Sequence, residues 1–105
     1  MNSSLIKKWT EVDQFKNEKG VLVAAFSAEW CPPCKVMDPI YEEAASRFTG
    51  LQFLKADQDA TPDLFINYDV HSIPTYLVLK DGKEVHRQIG AITAARFHKM
   101  LEAFV

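Results

Sequence analysis

The chain has 105 residues, 48% of them apolar, enough for one compact domain whose core needs no disulfide staples. Its 12 Lys and Arg against 14 Asp and Glu give a formal net charge of −2, which excludes the basic footprint of a nucleic-acid binder, and the apolar content excludes a disordered chain. No apolar run approaches the roughly 20 residues of a membrane span, and Met1 to Lys8 lacks the basic-then-apolar layout of a signal peptide, so a cytoplasmic address and no membrane partner are expected.

A weak strand is expected around Leu5 and Ile6. From Thr10 to Lys19, the spacing of Val12 and Phe15 predicts a short amphipathic helix that Gly20 ends. Val21 to Phe26 is unbroken apolar sequence, the signature of a central strand buried on both faces. Lys35 to Phe48 reads as a helix whose apolar face holds Met37, Ile40, Tyr41, Ala44, Ala45 and Phe48, with Pro39 expected to kink it. Leu51 to Ala56 is a second strand, Leu64 to Tyr68 a short helix and Thr75 to Leu79 a third strand. Asp81-Gly82 marks a hairpin turn into a return strand from Glu84 to Ile89. Thr93 to Phe104 closes the chain as a helix, with Thr93 as its N-cap and Phe97, Leu101 and Phe104 on one stripe. Parallel crossovers followed by an antiparallel hairpin imply an α/β domain over residues 1–105, with a mixed sheet and helices on both faces.

The chain has two cysteines, Cys31 and Cys34. A secreted disulfide scaffold carries more of them, spread along the chain. The close spacing points to local redox chemistry or to a metal. A zinc site needs about four ligands, whereas His71, His86 and His98 are scattered singly and read as ordinary surface histidines. The pair lies in Trp30-Cys31-Pro32-Pro33-Cys34-Lys35, directly after the strongest strand. A residue before proline is pushed to extended backbone, and proline is tolerated at the first helical position. The helix is therefore expected to begin at about Pro33. Cys31 would then sit where a helix N-terminus favours negative charge and lowers a thiol's pKa. Cys34, in the first turn, would lie close enough to attack a mixed disulfide on Cys31.

These residues resemble the thioredoxin family across essentially the whole chain. The resemblance rests on Phe26 to Lys35, Pro39, Ala56-Asp57, Ser72 to Thr75, Lys80 to Lys83 and Ile89 to Ala91, in that order. It implies a central mixed sheet of four to five strands flanked by four helices. It implies that Cys31 is the exposed nucleophile and Cys34 the buried resolving thiol. By the same resemblance Pro74 is a cis-proline facing the pair. Trp30, Pro32, Pro33, Ile73, Pro74, Gly90 and Ala91 line an apolar groove, where Ile73's backbone pairs with a substrate in strand fashion. Implied partners are protein disulfides and, as electron donor, a flavoenzyme of the thioredoxin-reductase kind. The domain itself is expected to be a monomer that holds no cofactor and no metal.

Three departures stand out. Pro32-Pro33 replaces the family's usual Gly-Pro, which removes one N–H and stiffens the loop; Pro-Pro here also resembles the tryparedoxins, but this chain is shorter and lacks their extra segments. Ala25 stands where many members carry a buried Asp that assists Cys34, and Phe53 where they carry the Lys near that Asp. The charged pair is thus replaced jointly by apolar residues, which is physically coherent. The reading is a protein-disulfide reductase. Two rivals share these residues: an oxidase or isomerase of the same fold, and a non-catalytic module that uses the groove to hold partners.

Overall fold

The computed structural model describes residues 5–105. Residues 1–4, on which part of the N-terminal reading rests, lie outside the described residues. The elements are β1 (Ile6–Lys8), β2 (Val21–Ser27), α1 (Pro32–Arg47), β3 (Gln52–Asp57), α2 (Pro62–Asn67), β4 (Thr75–Lys80), β5 (Lys83–Ile89) and α3 (Ala94–Glu102). They build a 5-stranded sheet in the order β1-β3-β2-β4-β5. β3 runs parallel to β1 and β2, whereas β4 is antiparallel to β2 and to β5. The expected mixed sheet with helices on both faces is therefore present.

β2 has hydrogen-bonded neighbours on both edges and helices over both faces. Its alternate residues enter two separate cores. Val23 and Ala25 join Phe53, Tyr76, Val78, Tyr41 of α1, and Phe97 and Leu101 of α3. Leu22, Ala24 and Phe26 join Trp9, Leu54, Leu77, Leu79, and Leu64 and Phe65 of α2. This alternation follows from the period of two in a strand. In the first core Tyr41, Tyr76 and Phe97 pack with ring centroids 5.2–6.0 Å apart. The Tyr41 hydroxyl shares its proton between the carbonyls of Leu54 (2.6 Å) and Val23 (2.9 Å), tying α1 to the backbones of two strands.

Local signals set the ends of most elements. Asp81 and Gly82 both have positive φ (51° and 87°), as a type I′ hairpin turn requires. Thr93 caps α3, its Oγ1 accepting the Arg96 N–H at 3.2 Å. Between β4 and β5 the register jumps from Val78 opposite His86 to Leu79 opposite Glu84. Val85 is the extra residue of a β-bulge.

Three expectations are corrected. Thr10 to Lys19 forms no α-helix, so three α-helices rather than four flank the sheet among the described residues. The segment folds as successive turns, with Gln14 N–H donating to Glu11 O (3.1 Å) and Lys16 N–H to Asp13 O (3.3 Å). The Trp9 indole N–H takes up the same Glu11 carbonyl at 2.8 Å, so the oxygen that a helix would offer to Phe15 is already occupied. Phe15 still reaches the core at 8% exposure, so the apolar spacing recorded burial rather than helix. α1 begins at Pro32, one residue before the expected start. His98 is buried rather than on the surface, beside Phe48 and accepting from Arg47 at its Nδ1 (3.2 Å).

Phe97 is fully buried between two aromatic rings. Phe97→Ala is expected to lower unfolding free energy by about 3–5 kcal/mol, measured by urea titration. Ile66→Ala, at a side chain 79% exposed, should change it by less than about 0.5 kcal/mol.

Candidate functional site

The site is built where β2 ends. Beyond Ser27 the chain turns tightly, with Cys31 N–H donating to Ala28 O at 3.3 Å. Cys31 is the N-cap of α1 in extended conformation (φ −98°, ψ 108°). Pro32 and Pro33 occupy the first two helical positions, where an N–H would have no intrahelical acceptor. The first donor the helix offers is therefore Cys34 N–H, and it points at Cys31 Sγ, 3.4 Å away. Sulfur takes the place that a Ser or Asp oxygen holds in an ordinary cap. The backbone of Cys31 completes the turn by accepting the Lys35 N–H at 3.1 Å.

Cys31 and Cys34 are joined in a disulfide, with Cα atoms 5.2 Å apart. Cys34, one turn into the helix, is 1% exposed. Cys31, expected to be exposed, is only 4% exposed. Ala28 packs with the two cysteines and partly buried Ile73 lies against them, which accounts for the cover. Trp30, next to Cys31 in the chain, is 62% exposed. Its indole N–H donates to Asp59 Oδ2 at 3.0 Å, which holds the ring outside the core.

Two further segments meet this junction. Ile73 brings the loop before β4 onto the disulfide. The Ile73–Pro74 peptide bond is cis, and Pro74 itself is buried. Gly90 N–H donates to Pro74 O at 2.8 Å, and Ile89 lies opposite Thr75, so the end of β5 is laced to the same loop. Gly90 has φ +90°, a region open to glycine. Pro32, Pro33 and Ala91 are exposed, and Gly90 is half-buried. Asp59 and Ile89, the latter 60% exposed, were missed from sequence. An exposed Ile at the end of a strand was the available signal for one, and the other had none, since its partner is distant in the chain.

Ala25 and Phe53 are each 2% exposed in the first apolar core. Ala25 lies between Lys55 on β3 and Tyr76 on β4. Lys55 Nζ meets Asp38 Oδ1 of α1 at 2.9 Å. The β3 neighbour of Ala25 is thus Lys55, whereas Phe53 lies opposite Val23, so the expected joint replacement of a charged pair by apolar residues is corrected: a lysine stands beside Ala25 and takes its carboxylate from Asp38 instead. Burial first, and then the Asp38 charge, pushes the Tyr76 phenol well above its ordinary range, so it stays protonated at neutral pH. Among the described residues no group of three or more His, Cys, Asp or Glu side chains could hold a metal ion.

A family model described as Thioredoxin matches residues 6–103. Thioredoxin H2-1 of Oryza sativa subsp. japonica is 42% identical over 85 residues, 80% of this chain and 62% of that protein. Thioredoxin H-type of Fagopyrum esculentum is 35% identical over 96 residues, covering 90% and 83%. The chain thus spans less than two thirds of the first of these relatives. Among solved structures, oxidised mitochondrial thioredoxin 3 from Saccharomyces cerevisiae superposes with a TM-score of 0.87 at 29% identity, over 98% of this chain and 99% of that one. Thioredoxin NaTrxh from Nicotiana alata gives 0.85 at 29%, over 95% and 92%.

A thiol at a helix cap is favoured as thiolate, and a thiol inside the first turn is shielded. After reduction, iodoacetamide at neutral pH should label Cys31 about tenfold or more faster than Cys34. Peptide mass mapping of a time course reads this, and prior labelling of Cys34 would contradict the geometry.

Proposed function

The chain belongs to the thioredoxin family, and on that premise we propose that it is a thiol-disulfide oxidoreductase working as a protein-disulfide reductase. The observation that carries the reading is the Cys31–Cys34 disulfide at the cap of α1, with the first free helical N–H aimed at Cys31 Sγ. Cys31 thiolate attacks a substrate disulfide, forms a mixed disulfide and releases one substrate thiolate, which takes a proton from solvent. Cys34 thiolate then attacks Cys31 sulfur, closes the intramolecular disulfide and releases the second substrate thiolate. Two electrons pass from the pair to the substrate. A flavoenzyme of the thioredoxin-reductase class, using NADPH, returns them.

Trp30, Ile73, Pro74, Gly90 and Ala91, with Pro32 and Pro33 beside them, form the surface that receives the substrate. The Ile73 backbone pairs with an extended substrate segment. The packing of Ile73 on the pair and the bond between Gly90 and Pro74 support this assignment. Reduction as the direction of flow and a cytoplasmic place of work belong to the same reading, supported by a cysteine inventory limited to the reactive pair, and a monomeric state is proposed with them.

The deciding experiment is an equilibrium titration of the pair in dithiothreitol and glutathione buffers, scored by thiol alkylation. The expected potential lies near the reducing end of the roughly −270 to −120 mV span of related dithiols. A value near the oxidising end moves the function to an oxidase or isomerase. Failure to form a reversible disulfide leaves a binding module, whose partner capture would survive Cys31→Ser.

With Ala25 in an apolar core, Cys34 loses its proton without help from a carboxylate at that position. Ala25→Asp should therefore resolve a mixed disulfide about tenfold or more faster at neutral pH and shift the pH profile of that step. Ala25→Asn, of equal size, should do neither. An unchanged rate and profile in Ala25→Asp would refute the idea.

A further inference from the structure

The loop from Asp69 to Pro74 carries Ile73 to the disulfide, so whatever fixes this loop fixes one wall of the site. It starts from the end of α2. There Val70 N–H donates to Phe65 O at 2.8 Å and Asp69 N–H to Ile66 O at 3.2 Å. Asp69 has φ +57°, and Val70 packs in one core with Phe65. This is a Schellman closure with Asp at the left-handed position. It leaves the carbonyls of Tyr68 and Asp69 pointing past the helix with no helical donor.

Arg87 of β5 meets both. Its Nη2 donates to Tyr68 O at 2.6 Å and its Nη1 to Asp69 O at 2.9 Å. The other edge of the same guanidinium is held by Glu84, with Nε donating to Oε2 and Nη2 to Oε1, each at 2.9 Å. Residues three apart in a regular strand face opposite sides. The bulge at Val85 cancels one step, so Glu84 and Arg87 lie opposite Leu79 and Leu77, on the α2 side of the sheet. The side chains are 37% and 24% exposed. Hydrogen bonding from Arg87 holds the Glu84 carboxyl below its ordinary range, so the pair is fully charged at neutral pH. The far end of the loop is tied by Thr75 Oγ1 donating to Ser72 O at 2.6 Å and by Gly90 N–H on Pro74 O. The contact between His71 and Asp69 inside the loop is 80% and 84% exposed and supplies little.

We propose that Arg87, oriented by Glu84, is a positioning residue for protein substrates: by clamping the end of α2 it presets the loop whose Ile73 backbone the substrate pairs with. The inference rests on the disulfide-reductase reading of the site. Arg87 touches no reacting atom, so it acts on binding rather than on sulfur chemistry. A planar fork is needed to bridge two carbonyls and a carboxylate at once, which a lysine ammonium cannot do.

The test compares wild type, Arg87→Ala, Arg87→Lys and Glu84→Gln on a protein disulfide, insulin, and on a small one, 5,5′-dithiobis(2-nitrobenzoate). Loss of preorganisation should raise KM for insulin about tenfold in Arg87→Ala and Arg87→Lys, less in Glu84→Gln, with kcat within about twofold. The rate with the small disulfide and the equilibrium potential of the pair should stay at wild-type values. Amide hydrogen exchange at Val70 to Ile73 should quicken in Arg87→Ala while β2 keeps its protection. A variant merely damaged in fold would lose both substrates and β2 protection together, and that pattern in both Arg87 variants would overturn the proposal. So would an unchanged KM for insulin in Arg87→Ala alongside an active wild type. A wild type that reduces neither disulfide overturns the reductase reading itself, and the proposal with it.

Discussion

β2 has no face that meets water. Leu22 to Ser27 are buried, and from Leu22 to Phe26 the backbone is paired on both edges and the side chains alternate between two cores. A strand so placed requires cover on both sides, and α1 with α3 on one face and α2 with the Trp9 segment on the other provide it. The chain can leave such a strand only at its ends. At the C-terminal end it has only a short turn before α1, and that turn presents Cys31. Gln58 N–H, donating to Ser27 O at 2.9 Å, pins the exit from the neighbouring strand. The place of the reactive pair is thus a consequence of where the central strand stops.

The helix start and the sulfur chemistry use the same atoms. Capping needs an acceptor at Cys31 for the first unpaired helical donors, and two prolines reduce those donors until Cys34 N–H leads. An acceptor that stabilises a helix start is stabilised in turn as an anion. Bringing Cys34 into the first turn also brings its sulfur within bonding reach of Cys31. Local secondary-structure preference, more than a dedicated catalytic apparatus, sets up the geometry.

What could be read in the sequence is what neighbouring residues decide. The apolar run of β2, the Asp81-Gly82 turn, the Thr93 cap and the cysteine spacing all act within a few residues, and each was recovered. Missed features depend on partners far along the chain. The Trp9 indole takes a carbonyl that would have begun a helix near Thr10. His98 is buried because Arg47 at the end of α1 and Phe48 at its C-cap surround it. Asp59 matters through Trp30, and the bulge at Val85 exists only as a register between two strands. α1 starts one residue earlier than expected because a residue before proline is disfavoured in helical backbone rather than barred from it, and Pro32 at the first position has its φ already set for a helix.

The chain's two indoles sit in opposite surroundings. Trp9 is 2% exposed and ringed by Phe15, Phe26 and Tyr68, with centroids 6.0, 5.9 and 5.1 Å away. Trp30 stands in solvent beside the disulfide. One chromophore is therefore shielded from a collisional quencher and answers to melting of the second core. The other is open to that quencher and adjoins two sulfurs whose bond comes and goes. The polypeptide carries two independent optical channels, one for its folding and one for its electrons, without any label being attached.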